Sequence, residues 1–368
     1  MGPRKAGRDG PSCATGAGRA GGWGRATGQE GSVRVERRRV GAAALAVGAV
    51  GLGCMPMTWA YTASRRSGEE SLRAVRTALD HGVTLLDTAD MYGPFTNELL
   101  LGRVLRERRG EVFLSTKGGL LVGEQHLVAN GRPSYVRRAC DASLRRLQTD
   151  TIDLYQLHRV DPEVPVEETW GAMAELVAAG KVRALGLCAV GARGGRRTGT
   201  RSAPRRYDET LAHLVRAQQV FPVACVQAEL SVWAPEALDD LLPWCTARGI
   251  GFLAAMPLGN GFLTGTLTPG GGFERDDLRA RHPRFTAEMM AANQPIVAGL
   301  RRVAARHDAT AAQVALAWTL AQSPSVVPVP GTKTARWAAE NAAAAGLALS
   351  PADLAEIVGL PAAQGSWD

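Results

Sequence analysis

Residues 81–119 read HGVTLLDTADMYGPFTNELLLGRVLRERRGEVFLSTKGG. Val83–Asp87 is a short apolar run that ends in an acid, and the run EVFLSTK ends in Lys117. Between them, roughly Thr96–Arg108 reads as a helix. Two continuous apolar strands joined by a crossover helix form the repeating unit of a parallel sheet buried on both faces. Upstream, Ser67 and Glu70 have capping-box spacing, Leu72, Val75, Ala78 and Leu79 share one helical face, and Gly82 ends that helix. Downstream, helices over about 134–147, 166–179, 207–219, 295–307, 310–321 and from about 335 alternate with the apolar strands IDLYQLH, VRALGL, PVACVQ, IGFLAA and SVVPVPG. Pro235 suits the first turn of one more helix. The alternation recurs about eight times without a second composition class. No GxGxxG follows a strand and opens a helix. The fold expected is therefore α/β, a closed (β/α)8 TIM barrel, with residues 34–368 as a single domain.

Charge narrows the function. The chain carries a net +8, but residues 1–40 hold +6 and the run Gly191–Arg206 holds six arginines and no acid. The rest is therefore acidic, at −4, which argues against a nucleic-acid-binding face. Residues 1–33 read as a disordered, basic Gly/Arg-rich tail, and about 191–206 as a basic, solvated loop insert. The six cysteines show no CxxC pair or Cys/His cluster, so neither a metal site nor a disulfide frame is expected. VGAAALAVGAVGLGC (40–54), behind Arg37-Arg38-Arg39, has some of the look of an export signal. Gly51 stands where a lipoprotein signal carries a leucine-like residue, and the run is assigned to the first hairpin and strand. No run reaches membrane-spanning length, and a cytoplasmic location is expected.

In such a barrel, chemistry gathers at the carboxyl ends of the strands. Asp87, Lys117 and His158 close three successive strands, and Tyr92 follows Asp87 by five residues. Each alone is unremarkable: an acid can cap a helix, a lysine can be solvated, a histidine can be structural. Together they suit hydride transfer to a carbonyl, in which negative charge builds on oxygen and a proton must be delivered there. Tyr92 is the candidate acid, Lys117 and Asp87 the pair that tunes it by favouring phenolate, and neutral His158 the donor that orients the carbonyl.

These residues sit in motifs. GLGCMPM (51–57), LLDTADMYG (85–93), FLSTKGG (113–119), IDLYQLHR (152–159), LGNGFLTG (258–265) and VPVPGTK (327–333) resemble, in order and position, the aldo-keto reductase superfamily over about residues 35–345. The resemblance implies a barrel that uses NADPH, with the Asp87, Tyr92, Lys117, His158 set. It places Gln227 on the nicotinamide carboxamide and Pro257, Leu258, Gly259, Asn260 and Gly261 along the pyrophosphate. Gly331, Thr332, Lys333 and Arg336 fall at the adenosine 2′-phosphate, and Glu340 and Asn341 at adenine. Lys and Arg suit that dianion, which favours NADPH over NADH. Met55, Trp59 and Tyr61, with Trp233 beyond them, are candidates for the substrate wall.

Some positions depart from the family pattern. Cys188 and Ala189 replace a Ser followed by Asn or Glu, and Ala255 stands where an aromatic residue usually stacks on the nicotinamide. Met256 replaces a usual Ser, and Asn260 a common arginine. Two function classes therefore stay open: an NADPH-dependent reductase of an aldehyde or ketone, and an NADPH-binding sensor or regulatory barrel with little turnover. A metal-dependent barrel hydrolase lacks the paired histidines that class needs at the first strand end.

Overall fold

A computed structural model describes residues 37–41, 45–123, 127–189 and 206–365, together with Gly2. Except for Gly2, the tail expected at 1–33 and, except for Arg206, the insert at 191–206 lie outside the described residues. The chain divides into Met1–Arg34 and Val35–Asp368, and every element below belongs to the second unit.

The run behind Arg37-Arg38-Arg39 is a hairpin, β1 (Arg37–Val40) with β2 (Leu45–Gly48), followed by the first barrel strand β3 (Leu52–Gly53). The other barrel strands are β4 (Leu85–Asp87), β5 (Phe113–Gly118), β8 (Ile152–Leu157), β9 (Val182–Cys188), β10 (Cys225–Glu229), β11 (Gly251–Ala255) and β12 (Val326–Pro328). A small hairpin, β6 (Leu120–Val122) and β7 (Leu127–Ala129), projects after β5. All eight barrel strands pair in parallel, each with its neighbour in chain order. The first and last meet: Gly51 N donates to Pro328 O (2.9 Å), Gly53 N donates to Pro330 O (3.0 Å), and Gly53 bridges Gly331 in parallel. The sheet is thus closed.

The helices are α1 (Gly68–Asp80), α2 (Thr96–Arg108), α3 (Pro133–Leu147), α4 (Val166–Ala178), α5 (Asp208–Val220), α6 (Leu241–Thr246), α7 (Ala287–Ala292), α8 (Gln294–Arg306), α9 (Ala311–Ala321), α10 (Ala335–Ala343) and α11 (Pro351–Val358). Leu72, Val75, Ala78 and Leu79 of α1 are buried, as their spacing predicts. The main apolar core lies between helices and strands, because both faces of each strand are covered. A second cluster, including Val40, Val47, Leu85, Leu154, Leu253 and Val327, fills the barrel at the amino ends of the strands, where the β1–β2 hairpin plugs it.

Three local readings need correction. Ser67 accepts from Glu70 N (3.3 Å), but the Glu70 carboxylate turns to Arg73 and Ala335 N, so the capping box is only half made. Pro235 precedes a 3-10 turn (Glu236–Leu238), and α6 begins only at Leu241. Finally, the helical stretch expected from about 335 is not one helix: α10 ends at Ala343 and α11 follows, with a full capping box between Ser350 and Asp353.

Candidate active site

The loop after β4 continues the sheet before it turns. Thr88 N donates to Ser115 O (2.9 Å) and Asp90 N to Lys117 O (3.1 Å), which keeps the segment against β5. Gly93 then takes a left-handed φ of +60°, where a side chain would strike Thr96 and Thr58. Asn97, buried at the start of α2, donates to Cys54 O (2.9 Å) and Thr58 Oγ1 (2.8 Å) and accepts from Thr88 Oγ1 (2.6 Å). These bonds hold Tyr92 over the strand ends.

Asp87 and Lys117 sit in their strands, with His158 one residue past β8. Lys117 is fully buried, and its ammonium has three donors. They reach Asp87 Oδ2 (2.6 Å), Thr88 O (2.9 Å) and Tyr92 Oη (3.5 Å). Asp87 Oδ1 accepts from Ser115 Oγ (2.9 Å) and Gln156 Nε2 (3.2 Å). Both supports are readable from register, since Ser115 pairs with Asp87 and Gln156 with Lys117 across neighbouring strands. The His158 ring stands edge-on to Tyr92, with centroids 5.9 Å apart.

The electrostatics follow from burial. Burial opposes the Lys117 charge, but the Asp87 carboxylate and the Tyr92 hydroxyl more than offset it, so Lys117 stays an ammonium. Burial, Lys117 and Arg159 hold His158 well below its ordinary value, so its imidazole is neutral. The Tyr92 phenol is pushed up to about 12, because burial outweighs the lowering effect of Lys117. This corrects the expectation of a tyrosine tuned downward: Lys117 moderates a rise rather than producing a fall.

At the end of β9, Cys188 is buried beside Gln227 of β10 and lies in register with it. Gln227 Nε2 and His158 Nδ1 are buried and have no partner among the described residues. After β11 the backbone turns sharply, with positive φ at Met256, Gly259, Asn260 and Gly261. Asn260 Oδ1 accepts from Tyr61 Oη (2.7 Å), while its Nδ2 has no partner among the described residues. Pro257 is buried and Leu258 packs partly against the core, so these two hold the turn in place. Past β12, Gly331 is exposed, Thr332 is buried, and Lys333 donates to Tyr61 O (3.2 Å) and Thr62 O (2.8 Å). Arg336 is exposed and lies over the Trp337 ring. Asn341 is buried, whereas the Glu340 carboxylate accepts from Thr310 Oγ1 (3.0 Å) at the start of α9.

Of the substrate-wall candidates, Met55 and Trp59 pack on Met91, Tyr92 and Leu120 beside the Tyr92 ring. Tyr61 does not join them, since its hydroxyl is held by Asn260 and its ring lies under Arg279. Trp233 is only 1% exposed and stacks on Phe262 at 4.3 Å, so it is core and not a wall. Sequence reasoning missed Arg279, which donates to Asn260 O (3.2 Å) and is clamped by Asp277. It comes from irregular backbone with no periodic signal.

A closed parallel barrel with a buried acid–lysine–tyrosine chain at its carboxyl rim defines a class of barrel oxidoreductases. The chain belongs to the aldo/keto reductase family, whose sequence profile matches residues 49–361. It is 36% identical over 326 residues to a probable aldo-keto reductase 1 of Glycine max, covering 88% of each chain. Among solved structures it is similar to the glycerol dehydrogenase of Gluconobacter oxydans, at TM-score 0.75 and 26% identity over 88% of this chain and 94% of that one. An aldo/keto reductase of Klebsiella pneumoniae, solved with NADP and acetate, matches at TM-score 0.62 and 29% identity over 88% and 94%. No helix among the described residues is long and apolar enough to cross a membrane.

Proposed function

We propose that this chain is an NADPH-dependent reductase of the carbonyl of an aldehyde or ketone, with Tyr92 as the proton donor. The observation that carries the reading is the buried Lys117 ammonium joining the Asp87 carboxylate to the Tyr92 hydroxyl, with neutral His158 at the edge of the Tyr92 ring. The residues present also fit the dinucleotide. Gln227 and Asn260 hold buried N–H groups with no partner among the described residues, and Lys333 with Arg336 supplies cationic charge for a 2′-phosphate. When bound, NADPH supplies the hydride.

The chain's own groups do the rest. His158 donates an N–H to the carbonyl oxygen and orients it. Tyr92, with a pKa near 12, is fully protonated at physiological pH, so the donor form is always present. As the carbonyl oxygen becomes an alkoxide it becomes a stronger base than a phenolate of that pKa, and the proton moves to it. Lys117 stabilises the phenolate left behind, and Asp87 holds Lys117 in place. Met55, Trp59 and Leu120 keep water from the reacting carbon and favour an apolar substrate.

Tyr92→Phe tests the assignment. The expected result is a fall in turnover of about 100- to 10,000-fold, with the NADPH dissociation constant within about threefold of the parent. Undiminished turnover would remove Tyr92 from its role. Tight NADPH binding by the parent, without consumption across several aldehydes and ketones, would instead favour the sensor reading that the changes at Cys188, Ala189 and Ala255 suggest.

A further inference from the structure

The structure assigns to Cys188 the orientation of the Gln227 amide, and with it a cofactor pocket that reads only the oxygen of the nicotinamide carboxamide. This rests on the NADPH reading above. Cys188 Sγ lies 3.7 Å from Gln227 Oε1, and a thiol is a donor, so the contact fixes the amide with its oxygen towards the sulfur. The Nε2 end then faces away from Cys188, buried and without a partner among the described residues. Arg159 Nη1 approaches the same sulfur at 3.9 Å and donates to His158 O (3.0 Å), so the thiol is held from both sides. The main chain is equally fixed: Ala189 N donates to Gln227 O (2.7 Å).

A carboxamide has an acceptor oxygen and a donor nitrogen. Gln227 Nε2 satisfies the oxygen. The adjacent side chains offer the nitrogen little, since the thiol is a weak acceptor whose sulfur already faces Arg159 Nη1, and the Ala189 side chain has no polar atom. A pocket that makes no hydrogen bond to a group does not reject an analogue lacking it, whereas one built to bond that group rejects the analogue strongly. Cys188 is thus a specificity-determining and positioning residue, acting through Gln227.

The test is equilibrium binding of two probes to the purified chain, followed by tryptophan fluorescence. One is NADP, and the other its 3-acetylpyridine analogue, which keeps the oxygen and replaces the amide nitrogen with a methyl group. The expected dissociation constants agree within about threefold. Cys188→Ser places a hydroxyl acceptor at the same position, and the analogue is then expected to bind at least about tenfold more weakly than NADP. Parent protein that binds NADP but rejects the analogue by tenfold or more overturns the inference, because Gln227 would then present its oxygen, and leaves the cofactor reading intact. Failure of the parent to bind NADP overturns both. Equal binding of both probes by Cys188→Ser would show that position 188 does not set the preference.

Discussion

Asp90 shows how tightly the rim is packed. It lies two residues before Tyr92, it is 2% exposed, and its Oδ1 has no partner among the described residues. Burial, reinforced by nearby Glu98, pushes its carboxyl up to about 8. An acid that holds its proton more tightly in the fold than in the unfolded chain costs stability as pH rises from about 4 towards 8, because the unfolded chain releases the proton first. Asp90→Asn removes that titration. The variant is expected to gain on the order of a few kcal/mol over the parent at pH 8, and much less at pH 5. Thermal denaturation at the two pH values checks this, and an equal gain at both would mean that Asp90 holds its proton no more tightly in the fold than in the unfolded chain. Asp87, in contrast, is surrounded by Lys117, Ser115 and Gln156. Two aspartates three residues apart therefore end in opposite environments, a difference the composition of DTADMYG does not contain.

At the scale of elements, three rim segments are tied to one another. Lys333 reaches the carbonyls of Tyr61 and Thr62, Thr62 N donates to Asp277 Oδ2 (3.0 Å), and Ser64 N donates to Glu274 Oε2 (3.1 Å). The cation proposed for the 2′-phosphate also anchors the loop that carries Trp59 and Tyr61. Lys333→Ala is expected to weaken NADPH binding by about 10- to 100-fold and NADH binding far less, the loss of one charge-assisted bond. Fluorescence titration with both dinucleotides checks this, and an unchanged preference would show that the 2′-phosphate lies elsewhere. The strands and helices were legible because burial on both faces writes continuous apolar runs, and strand ends mark the rim. Hence Asp87, Lys117 and His158 could be placed from sequence. Trp233 and Arg279 could not, because periodicity gives the face of an element and not the partner beyond it. Ser115 and Gln156 fall between: the sequence places them in strands, and only the register makes them neighbours of Asp87 and Lys117.

For the whole molecule, the decisive contact is the seam between β3 and the segment after β12. A methyl group added at Gly53 would come within 2.9 Å of Val329 O and 3.3 Å of Gly331 Cα, so the two segments could not approach as they do. Gly53→Ala is expected to cost about 1–3 kcal/mol in urea denaturation, as overpacking does. Gly110→Ala serves as a control, because a methyl there meets nothing within 4 Å. Equal stability of the two variants would mean that the seam yields without cost.

The same seam sets a timetable. Gly53 and its partner Gly331 lie at opposite ends of the barrel sequence, so the ring cannot shut until nearly the whole chain has been made. A ribosome delivers β3 to β11 first, as an open curved sheet with two raw edges. Over that interval Leu85, Leu154 and Leu253, which the finished barrel encloses, lack their neighbours Val327 and Val329. Until the last strand is made, the nascent chain thus carries apolar surface that the closed ring would cover, the kind of surface on which incomplete chains associate.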